Sequence, residues 1–67
     1  MKVYIKNLYG IKEGRKSYFK RWGTYCYQFV LKKELASDLT SEEIADLMRQ
    51  KEAYLKLYNA DSMGIED

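Results

Sequence analysis

The chain contains no histidine and a single cysteine, Cys26, among its 67 residues. Without histidine the usual general acid or base and the commonest transition-metal ligand are both missing. One thiol and no imidazole leave no zinc ligand set and no Cys–His pair to activate a nucleophile. Cys26 therefore reads as a small hydrophobe on a strand. An intrachain disulfide is impossible, which excludes a stapled secreted scaffold and points to a reducing cytoplasm. No apolar run approaches the ~18 residues needed to span a bilayer, and the segment MKVYIKNLYG lacks the apolar core of a signal peptide. Gly10 and Gly14 have neither the Walker spacing nor the strand-to-helix context of a phosphate loop. Asp61, Glu66 and Asp67 show no calcium-loop spacing. The expectation is a cytoplasmic, non-enzymatic protein with no catalytic residue, metal, cofactor or membrane span.

What is present is aromatic and charged. Ten aromatics, seven of them tyrosine, give a small single domain the large apolar areas it needs. The net charge of +2 conceals a split. Residues 1–34 hold nine Lys or Arg against Glu13 and Glu34, a net of +7, whereas residues 35–67 hold three against eight acidic residues, a net of −5. Such asymmetry suggests an anionic partner for the first half, or two differently charged surfaces of one domain.

Alternation predicts a strand over Lys2–Leu8, with Val3 and Ile5 on one face and Lys2, Tyr4 and Lys6 on the other. A glycine-punctuated loop follows over 9–15. Lys16–Trp22 and Thr24–Lys32 read as two further strands, with Gly23 as the turn. In the third strand Tyr25, Tyr27, Phe29 and Leu31 are the expected core face. In the second, either Tyr18, Lys20 and Trp22 or Ser17, Phe19 and Arg21 are the buried set. Thr40-Ser41-Glu42-Glu43 forms a capping box, stapled by Leu39 and Ile44, with Glu42, Glu43 and Asp46 favouring the positive helix start. From there Ile44, Leu47, Met48, Tyr54, Leu55 and Tyr58 share one face of a helix from Ser41 to about Asn59, with Glu52 and Lys56 as an i,i+4 pair. Alternation over 53–58 keeps a strand open as a competitor, and residues 60–67 read as an acidic tail or a short edge strand. The expected fold is α+β, a three-stranded antiparallel β-sheet packed against one C-terminal amphipathic α-helix.

The basic aromatic hairpin carries the binding expectation. Arg15, Lys16, Lys20 and Arg21 suit phosphates or an acidic partner, and Tyr18 and Trp22 suit stacking on bases. The strand-loop-hairpin followed by Thr40-Ser41-Glu42-Glu43-Ile44-Ala45 resembles small accessory proteins of phages and prophages of low-GC Gram-positive bacteria. That pool includes regulators, anti-restriction proteins and anti-CRISPR inhibitors. The order β-β-β-α also resembles the arm-type DNA-binding domain of tyrosine recombinases. The resemblance implies a phage or mobile-element protein that docks on and inhibits a host nucleic-acid-handling protein or nucleoprotein complex. Direct DNA or RNA binding by the hairpin is the alternative, and self-association through a sheet edge or helix patch is a third reading.

Overall fold

The computed structural model describes residues 1–6 and 14–67. Four strands, β1 (Lys2–Lys6), β2 (Lys16–Gly23), β3 (Cys26–Val30) and β4 (Ser62–Glu66), form one antiparallel sheet in the order β3-β2-β1-β4. Two helices, α1 (Ser41–Arg49) and α2 (Lys51–Leu57), and a short 3-10 turn at Lys33–Leu35 complete the elements among the described residues. The expected α+β class with an antiparallel sheet is observed; the three-strand and one-helix counts are corrected to four and two. The end of the expected first strand at Leu8, and the loop around Gly10, lie outside the described residues.

Of the two readings of residues 60–67, an acidic tail or a short edge strand, the structure shows the strand: β4 pairs with β1 at the sheet edge. Its register sets Ile5 opposite Met63 and Val3 opposite Ile65, so the two apolar residues of 62–66 meet the apolar face of β1. Backbone pairing with a strand about 60 positions away in sequence, not local composition, makes this segment extended. α1 begins with the expected capping box: Thr40 accepts from the Glu43 N–H at 3.2 Å, and Glu43 accepts from the Thr40 N–H at 3.0 Å. At Gln50 the backbone leaves helical geometry for one residue, and Asp46 accepts from the side chains of both Arg49 and Gln50 there. α2 resumes and ends in a Schellman motif. Asn59 takes a positive φ of 52°, the Ala60 N–H donates to the Leu55 carbonyl at 2.9 Å, and both side chains join the core. The expected Glu52–Lys56 pair is absent from the ion pairs among the described residues.

The core lies between the sheet and the helices, built on Val3, Ile5, Phe19, Leu39, Leu47 and Met63. Phe19 is fully buried and meets Tyr27, Phe29 and Tyr54 edge-on, with ring centroids at 5.7, 4.8 and 5.5 Å. This settles β2: Ser17, Phe19 and Arg21 face the helices, while Lys16, Tyr18 and Lys20 face outward. Of the expected core face of β3, Tyr27 and Phe29 pack inside. Tyr25 and Leu31 flank the strand and are exposed, because the strand is shorter than alternation suggested.

Among the described residues β1 and β2 pair at Tyr4–Tyr18, Ile5–Ser17 and Lys6–Lys16, and not toward Met1. Beyond that point residues 37–39 enter between them. The Ser37 N–H donates to the Phe19 carbonyl, the Arg21 N–H to Ser37 Oγ, and the Leu39 N–H to the Met1 carbonyl. The insertion satisfies backbone groups that the splayed strands would otherwise leave unmatched.

Candidate functional site: the β2–β3 hairpin

The six residues expected to bind a partner are divided by the sheet. Lys16, Tyr18 and Lys20 stand on the outer face, Arg21 reaches toward α1, Arg15 is exposed just before β2, and Trp22 is 74% exposed near the hairpin tip.

Much of the basic charge is met inside the molecule. On the outer face Lys16 binds Glu66, and Lys33 reaches the same carboxylate at 3.2 Å. Tyr18 donates to Glu66 at 3.2 Å, and the Lys16 ammonium also sits 4.5 Å from the centroid of the Tyr4 ring. The Tyr4 ring lies over Gly64, whose missing Cβ would otherwise fall 2.5 Å from the Tyr4 hydroxyl. Lys16, then Lys33, hold the Glu66 carboxyl down at about 2, while burial followed by the Glu66 bond raises Tyr18. Tyr18 is thus buried outside the main core, in a polar cluster on the far side of the sheet.

On the helix side Arg21 forks onto Glu43 through Nε at 2.8 Å and through Nη2, and Nη2 also donates to the Asp38 carbonyl. Arg21 is the main cause holding Glu43 at about 2; burial opposes it, and the Thr40 N–H supports it. Burial first, then the Glu43 charge, push the neighbouring Tyr27 hydroxyl up to about 12. Lys2 donates to the Ala36 carbonyl at 2.8 Å and pairs with Asp38. Among the described residues, Lys6, Arg15, Lys20 and Lys32 in the basic half have no ion-pair partner. Glu43 and Glu66 are the functional neighbours that sequence reasoning missed. Their signal was the excess of acidic residues in the second half, which gave no pairing.

The hairpin tip is shaped by two backbone irregularities. Arg21 pairs with Tyr27 and Gly23 with Cys26, leaving Trp22 as an extra residue without a partner in the register. Such a bulge bends the strand and re-aims a side chain. One turn later Tyr25 adopts φ 55°, a left-handed conformation that a bulky residue rarely holds, and remains 51% exposed. Tyr25 overhangs an open groove against α1, lined also by Glu42, Asp46, Arg49 and Tyr54. Lys20 and Gln28 face each other in the register behind Trp22.

Among the described residues no group of three or more Cys, Asp or Glu is placed to hold a metal ion, and no helix is long and apolar enough to cross a membrane. Comparison with protein-family models, curated proteins and solved structures gives no match.

Proposed function

We propose that this chain is a non-enzymatic binding protein that docks through the tip of the β2–β3 hairpin onto a nucleic-acid-handling protein and blocks it, as an inhibitor encoded by a phage or another mobile element would in a host cytoplasm. The supporting observation is Trp22, which is 74% exposed on a bulge beside the strained Tyr25. Exposed aromatics on a rigid hairpin are the groups that fill partner pockets and carry binding energy. Strain held at an exposed tip is the kind of outlier that motivates a functional reading. Engagement of Lys16 and Arg21 by internal carboxylates lowers the charge left for a partner and favours this reading over a purely electrostatic one.

Direct nucleic-acid binding stands second. It is favoured by Lys20, which has no ion-pair partner among the described residues, close in the chain to an exposed indole: a phosphate contact next to a stacking ring. The test is affinity capture from nuclease-treated host lysate with the native chain, Trp22→Ala and the exposed helix variant Lys56→Ala. The native chain and Lys56→Ala are expected to retain a nucleic-acid-handling protein that Trp22→Ala loses. Retention indifferent to Trp22→Ala overturns the reading. A gel shift with duplex and single strands that weakens steeply with salt would transfer support to the second.

A further inference from the structure

We propose that two copies of this chain associate edge to edge through β3, with a two-fold axis at Gln28, to make one continuous eight-stranded sheet. β3 is an outer strand of the sheet, and its sequence Cys26-Tyr27-Gln28-Phe29-Val30 carries no charge and no proline in a chain that is 33% charged. Natural edge strands are ordinarily guarded by charge, proline or a covering element. The other outer strand, β4, carries Glu66 within its own lysine cluster. After Val30 the chain leaves β3, and Lys33 binds Glu66 of β4 at the opposite edge, so this connection does not run along the β3 edge.

Self-complementarity supports this occupant. Antiparallel pairing about Gln28 sets Cys26 against the second copy's Val30, and Tyr27 against its Phe29. The two exposed hydrophobics that flank the strand, Tyr25 at 51% and Leu31 at 56%, stand equally far from Gln28 and become cross-strand partners. No like charges oppose each other along the paired segment. On the helix side, Tyr58 packs on Phe29 at 5.0 Å, and the open groove of Ala53, Tyr54, Leu57 and Tyr58 lies beside it. The second copy's Tyr27 and Phe29 extend that apolar surface. Because the axis is perpendicular to the sheet, the outer faces of both copies point the same way and Lys20 is presented twice.

Sedimentation equilibrium of the native chain tests this without nucleic acid or any partner, so its outcome is independent of the binding reading. The expected mass rises with concentration toward twice the 8.0 kDa of one chain. Gln28→Glu places like charges at the axis while giving Lys20, its neighbour in the register, a partner within the monomer. It is expected to stay folded by circular dichroism and to weaken association at least about tenfold. Val30→Cys places a thiol opposite the second copy's Cys26 and is expected to yield a covalent dimer under mild oxidation. A native chain that remains monomeric up to about 1 mM, or association unchanged by Gln28→Glu, overturns the proposal.

Discussion

Replacing Glu43 by glutamine should separate charge from shape at the junction of sheet and helix. Glu43 is nearly buried and accepts from Arg21 Nε and Nη2, the Thr40 N–H and, at 3.4 Å, the Tyr27 hydroxyl. Its carboxyl is held from an ordinary 4.5 down to about 2. At about 1.4 kcal/mol per pH unit, that depression is worth about 3 kcal/mol. Arg21 is 42% exposed, so solvent screening brings the figure to about 2 kcal/mol. A carboxyl with a depressed folded pKa adds stability above its unfolded pKa and loses it as pH falls through the folded value. Glu43→Gln should therefore lower the melting temperature at pH 7 by about 8–16 °C for a domain of this size. Between pH 5 and pH 2 the native protein should lose this advantage and the gap between the two proteins should close. Both keep Glu66, whose acid sensitivity has the same sign and cancels in the difference. Thermal melts of both proteins at pH 7, 5, 3.5 and 2 decide the matter. A gap at pH 7 below about 0.5 kcal/mol, or one that persists undiminished to pH 2, refutes the assignment of stability to the Arg21–Glu43 pair.

Gly64→Ala drives a methyl into the Tyr4 ring and should destabilise the protein by about 1–2 kcal/mol in urea titration. Combining it with Tyr4→Leu should cost less than the sum of the two changes, since they share one contact. Tyr25→Asn, which suits a positive φ, should leave stability equal or higher by about 0.5–1 kcal/mol in the same titration, while weakening any binding that uses the tip. Trp22→Ala should change unfolding free energy by no more than about 0.5 kcal/mol, consistent with a side chain not used in folding.

Local signals were legible in proportion to how local their cause is. Thr40 and Glu43 lie three residues apart and announce their cap; the hairpin between the two aromatic runs was legible too, although Gly23, expected as its turn, instead ends β2 opposite Cys26 and the turn falls on Thr24 and Tyr25. Met63 and Ile65 match Ile5 and Val3 only once β4 and β1 are side by side, so among acidic neighbours they left a tail and a short edge strand both open. Which face of β2 is buried was equally a long-range matter, decided by α2 placing Tyr54 over Phe19. The candidate site was legible as a composition but not as a surface. Nothing near Lys16 or Arg21 in sequence foretells that Glu66 and Glu43 occupy them, and no residue pattern marks Trp22 as the bulged position.

β4 also neutralises part of the basic face. Its Glu66 holds Lys16 and Lys33 together, and the strand is fixed by its pairing with β1 and by Met63 in the core. Without the Glu66 carboxylate both lysines would lose their ion pair and Tyr18 its acceptor, exchanging a neutralised cluster for a cationic aromatic one. One carboxylate on one short strand thus sets how much of the basic half's positive charge the surroundings meet.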